Sequence, residues 1–78
     1  MPTYRFTVDG ERSPLEEKTA TLPDDNSAWD YGEALIWGML SREMDPDESR
    51  VLVIAVGDRI VATIAFNLDA FQVRRTLQ

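Results

Sequence analysis

Arg50-Val-Leu-Val-Ile-Ala-Val56, Gly57-Asp58, Arg59-Ile-Val-Ala-Thr-Ile-Ala-Phe66 reads as two β-branched apolar runs joined by a two-residue turn. Gly followed by Asp between such runs favours a primed hairpin turn, which predicts that Val56 faces Arg59, Ile54 faces Val61 and Leu52 faces Thr63. One face of the hairpin then carries Val51, Val53, Ala55, Ile60, Ala62, Ile64 and Phe66, and must be covered. The other carries Leu52, Ile54, Val56, Arg59, Val61, Thr63 and Ala65, which is more apolar than a solvated face of an antiparallel sheet needs to be. A second cover is expected there.

Upstream, Tyr4-Arg5-Phe6-Thr7-Val8 alternates apolar and polar residues and stops at the turn dipeptide Asp9-Gly10, the pattern of a strand with Tyr4, Phe6 and Val8 facing a core. Lys18 to Leu22 is a short β-prone segment ending at Pro23, expected as an edge strand. Asp24, Asp25 or Asn26 can each cap a helix, and the sequence predicts one from about Asn26 to Glu43. At 100° per residue, Ala28, Gly32, Leu35, Ile36, Met39 and Leu40 share one arc, with Trp29 and Tyr31 at its margins. Met44-Asp45-Pro46-Asp47 stops the helix, because proline cannot continue the hydrogen-bond ladder. Beyond Phe66, Asn67 or Asp69 can cap a short C-terminal helix bearing Leu68, Phe71 and Leu77; an unpacked tail is the alternative.

The fold class that follows is α+β: a small antiparallel sheet in β-β-α-β-β order with one helix on one face. Residues 1–66 form the single domain and residues 67–78 the tail or short helix. A chain of 78 residues supports one modest core. With no cysteine in the sequence, packing or oligomerisation must stabilise it. Fourteen acidic residues against eight basic give a net charge of -6, which disfavours direct binding of nucleic acid or an anionic membrane. The opening residues show no signal-peptide pattern, so the expected location is the cytoplasm.

Met1-Pro-Thr-Tyr-Arg-Phe6, Leu22-Pro-Asp24, Glu33-Ala-Leu35 and Val61 to Phe66 occur in the same order in a known family. The chain resembles the short proteobacterial domain-of-unknown-function proteins that open Met-Pro-Arg-Tyr-Phe-Phe, carry Leu-Pro-Asp before a helix and end near Pro-Phe. It departs from them at Thr3, Arg5, Ala65 and the tail. The family has no established activity, so the resemblance implies a fold and no functional residues. The layout is also similar to antitoxin domains of the HicB type, an analogy of fold alone.

Histidine is absent, which removes the commonest general base and metal ligand. Ser13, Ser27, Ser41 and Ser49 lie in no nucleophile-elbow pattern, and the clusters Glu16-Glu17, Asp24-Asp25 and Asp45-Pro46-Asp47-Glu48 match no calcium loop. No catalytic, cofactor or metal residue is assigned and no cofactor is expected. Trp37 falls opposite the centre of the helix's apolar arc, near Ala34, Leu40 and Met44, where an exposed aromatic suits a protein contact. The expected function is a small non-enzymatic protein-interaction domain that self-associates, with Trp37, Met44, Leu52, Ile54 and Val61 as contact residues. One alternative is an acidic inhibitor that blocks a nucleic-acid-binding protein, with Asp24, Asp25, Asp30, Glu33, Asp45, Asp47 and Glu48 as phosphate surrogates. A second alternative is a small-ligand module.

Overall fold

The computed structural model describes residues 1–10, 15–42, 44 and 48–67, and the backbone of 71–75. The elements are β1 (Thr3–Gly10), β2 (Glu16–Thr21), α1 (Asp25–Arg42), β3 (Ser49–Val56), β4 (Arg59–Asn67) and β5 (Phe71–Arg75). They build a five-stranded antiparallel sheet in the order β2-β1-β3-β4-β5. β2 and β3 both run antiparallel to β1, so α1 is a crossover passing over β1 between two strands parallel to each other. The α+β class with one helix on one face stands as expected. The C-terminal helix does not: the backbone of residues 71–75 pairs with β4 as an edge strand, Phe66 opposite Phe71 and Ala62 opposite Arg75. Leu68, Asp69 and Leu77 of the expected helix lie outside the described residues.

The helix begins where its capping chemistry places it. The Asp24 carboxylate accepts a hydrogen bond from the Ser27 backbone N–H at 2.8 Å, filling one of the donors that a helix start leaves open. At the far end the Met44 N–H donates to the Met39 carbonyl at 3.2 Å, a six-to-one closure of the kind that ends helices. Ala28, Gly32, Ile36 and Met39 are buried beneath the helix, with Trp29, Tyr31, Leu35 and Leu40 packed around them. At Gly32 the helix lies directly against side chains of β3. A Cβ there would lie 2.8 Å from Ile54 Cδ1 and 3.2 Å from Leu52 Cδ2, so hydrogen alone fits without displacing them.

The β3–β4 hairpin turns at Gly57-Asp58, with φ of 56° at Gly57 and no positive φ at Asp58. This is the backbone pattern of a type II′ turn, which needs glycine at its first central position. Pairing starts as expected, Val56 opposite Arg59, and then departs. Ala55 pairs with Ile60 and Ile54 with Ala62, so Val61 is the extra residue of a β-bulge. The slip moves the partner of every β3 residue from Ile54 back towards Ser49 by one: Leu52 faces Ile64, not Thr63, and Ile54 faces Ala62, not Val61.

The expected faces are therefore half exchanged. Ala62, Ile64 and Phe66 lie under the helix as predicted, but their β3 companions are Leu52 and Ile54, not Val51 and Val53. Leu52, Ile54, Ala62 and Ile64 are fully buried, and Tyr4, Phe6 and Val8 of β1 complete this layer. Phe6 and Tyr31 bring their rings to a centroid distance of 4.7 Å at 39°, joining β1 to the helix.

Candidate functional site

Among the described residues the sheet has one face covered by α1 and one left open. Directly opposed residues in an antiparallel sheet share a face, so the register writes out the open face as three rows across the central strands. At the end near the Gly57 turn the row is Arg5, Ala55, Ile60. The middle row is Thr7, Val53, Thr63. The third row is Asp9, Val51, Ala65. Ile60 is 42% exposed and Val51 36%; Ala65, Arg5 and Asp9 are exposed, while Val53, Ala55, Thr7 and Thr63 are half-buried by their neighbours. The bulge creates part of this surface, because an unbulged strand would turn Ile60 away from the face it now occupies.

Two features give the face relief. At its third row the small residues Gly10, Ser49 and Ala65 leave a shallow hollow of about 300 Å³ between Asp9 and Val51, with Arg50 behind it. At the first row Ile60 stands out beside Ala55. Arg5 donates from Nη2 to the Gly57 carbonyl at 2.8 Å, which holds its guanidinium over the turn end of the sheet.

The residues expected to make contacts fall elsewhere. Leu52 and Ile54 are core, so their assignment to an open face is corrected; the unforeseen bulge is the reason. Val61 and Met44 are partly buried and pack against that core and do not project from it. Trp37 is on the outer side of the helix at 56% exposure, with Ala34 also exposed beside it. The sequence reading groups Val51, Val53, Ala55 and Ile60 on one face but puts that face under the helix; what it misses is that the bulge parts them from Ala62, Ile64 and Phe66 and joins them to Thr63 and Ala65 on the open side. The signal of an open apolar surface was present in the apolar character of both hairpin faces.

Three of the seven proposed phosphate surrogates, Asp24, Asp25 and Glu48, are engaged within the fold. Asp24 caps the helix. Asp25 accepts from Arg59 at 2.8 and 3.1 Å and from the Tyr4 hydroxyl at 2.7 Å, tying β1, β4 and the start of α1 together. The hydrogen bonds from Arg59 and then from Tyr4 hold the Asp25 carboxyl below its ordinary pKa, whereas burial and the neighbouring carboxylate raise that of Tyr4. Glu48 and Arg50 form a buried ion pair at 2.8 Å, so Glu48 is not a surface carboxylate. Asp30 is exposed and Glu33 half-buried; Asp45 and Asp47 lie outside the described residues.

Among the described residues no three acidic, histidine or cysteine side chains converge as a metal site would require, and no helix is long and apolar enough to cross a membrane. No protein-family model, curated protein or solved structure matches the chain.

Proposed function

We propose that this chain is a non-enzymatic protein-contact domain that self-associates through its open sheet face. The observation that carries this reading is a sheet that, among the described residues, is covered by α1 on one side only, with Val51, Val53, Ala55, Ile60 and Ala65 together on the other. Contiguous apolar surface of this kind, edged by polar residues, is what protein contacts use. The edges favour face contact over strand addition at β2, because Glu16, Glu17 and Lys18 charge that edge strand. The lack of histidine throughout the chain and the engagement of Asp24, Asp25 and Glu48 in structural contacts support a non-catalytic role.

Val53→Lys tests it, since Val53 lies at the centre of the face. Light scattering over a dilution series is expected to show the parent chain as a dimer at high micromolar concentration and the variant as a monomer with an unchanged circular dichroism spectrum. A parent chain that is monomeric at every concentration, or a variant that associates equally well, refutes the reading.

A further inference from the structure

We infer that the partner on the open face is a second copy of this chain, turned about a two-fold axis that crosses the strands at the Thr7–Val53–Thr63 row. This rests on the self-association reading above and specifies its geometry. Two face-packed copies related by a two-fold must have the axis lying between the sheets, and aligned sheet packing leaves it two choices: along the strands or across them. The three rows decide between these choices.

An axis along β3 lays β1 of one copy over β4 of the other with like rows together. Arg5 then faces the partner's Ile60 and Asp9 faces the partner's Ala65, setting both charges of the three central strands against apolar groups. An axis across the strands keeps each strand over its own counterpart and exchanges the first and third rows. Arg5 then meets the partner's Asp9, and Asp9 the partner's Arg5. On β3 the larger Val51 meets the smaller Ala55. On β4 the protruding Ile60 meets Ala65, beside the hollow between Asp9 and Val51. Opposite charge meets opposite charge and large meets small on all three central strands. On the two edge strands the register positions Glu17, opposite Thr7, and Arg74, opposite Thr63, each fall on their own copy, at the rim of the interface where solvent screens like charges.

Size is adequate for a weak, specific dimer. Five strands spaced about 4.8 Å apart and roughly 20–25 Å long offer on the order of 500–600 Å² per copy, so about 1,000–1,200 Å² in total, at the lower bound of specific interfaces.

Charge exchange distinguishes this arrangement from every other use of the same face. Arg5→Asp and Asp9→Arg are each expected to weaken association about tenfold, since each reversal creates two repulsive contacts in a two-fold dimer. The double variant Arg5→Asp/Asp9→Arg is expected to restore it to within about threefold, as measured by sedimentation equilibrium. A double variant no tighter than the weaker single one overturns the crossing axis and leaves the self-association reading standing if Val53→Lys still dissociates the dimer. Because Arg5 also holds the Gly57 carbonyl, a second test avoids it. Ile60→Cys/Ala65→Cys, in a chain with no other cysteine, is expected to yield a disulfide-linked dimer under mild oxidation, while Ala65→Cys alone gives little. Equal cross-linking of the two, or none in the double variant, refutes the proposal.

Discussion

Replacing Leu52 and Val51 one at a time tests the bulge and the face assignment together, because the two residues are adjacent and the structure places them on opposite sides of the sheet. Leu52 is completely buried and lies against the helix at Gly32. Leu52→Ala removes three carbons from that layer, about 2.4 kcal/mol at roughly 0.8 kcal/mol per buried methylene. A residual void of some tens of Å³ adds about 1 kcal/mol at ~24 cal/mol per Å³, giving roughly 3–4 kcal/mol in all. Val51→Ala removes two carbons from a side chain that is 36% exposed, so the loss is about 1 kcal/mol. For a chain of 78 residues at ~0.05–0.15 kcal/mol each, total stability is about 4–12 kcal/mol, so the first substitution consumes a large share of it and the second little. Urea unfolding followed by circular dichroism, at concentrations below self-association, measures both. A Val51→Ala cost equal to or above that of Leu52→Ala would mean that β3 presents its other side to the helix, and the three-row description of the open face would fall with it.

Gly32→Val should destabilise by roughly 1–3 kcal/mol or more, since its branches have to enter space already held by Ile54 and Leu52; an unchanged urea midpoint contradicts the close contact. Asp25 titrates lower in the folded chain than in the unfolded one, so its contribution is present above the unfolded carboxylate pKa of about 4 and is lost as pH falls through the folded value. Asp25→Asn is therefore expected to flatten the acid limb of a stability–pH curve and, because the same carboxylate raises Tyr4, to make the alkaline loss shallower as well; an unchanged acid limb counts against the Arg59 and Tyr4 contacts. Tyr4 titrates higher when folded, so its contribution is full below the ordinary tyrosine range and lost as pH rises through the folded value; Tyr4→Phe should remove that alkaline loss in the same assay. Trp37→Ala is expected to leave the dimer mass unchanged and to shift stability by less than about 1 kcal/mol, because the ring is largely exposed and on the helix side; dissociation of the dimer by this change would move the contact from sheet to helix.

Much of the architecture is written in local patterns. The Asp24 cap, the arc from Ala28 to Met39 and the alternation of Tyr4, Phe6 and Val8 each follow from one period or one hydrogen bond, and each appears where its pattern puts it. The bulge is different. Ile60-Val61-Ala62 contains no glycine or polar residue to mark a slip, and its three apolar side chains suit either face. What selects the register is tertiary: Gly32 leaves room for Leu52 and Ile54, which a local reading of β3 cannot see. One unmarked residue thus exchanged Val51 and Val53 for Leu52 and Ile54 in the candidate contact surface. β5 was obscured for a related reason, since Asn67 and Asp69 supply helix-capping residues while Phe71-Gln-Val-Arg-Arg75 becomes a strand by pairing with β4.

The position of β1 has a consequence for how the chain acquires its structure. β1 finds β2 nearby in sequence, but its other neighbour is β3, with Tyr4 opposite Val56 across almost the whole intervening chain. The β3–β4 hairpin closes over two residues and needs no such search. Two local hairpins can form early, then, while the β1–β3 seam must await closure of the long loop that contains the helix. Substitutions along that seam should slow folding, whereas changes at the far edge should chiefly hasten unfolding. Until the seam zips, Phe6 and Ile54 stand exposed on separate hairpins. That is the interval in which one chain can lend its first hairpin to the second hairpin of another.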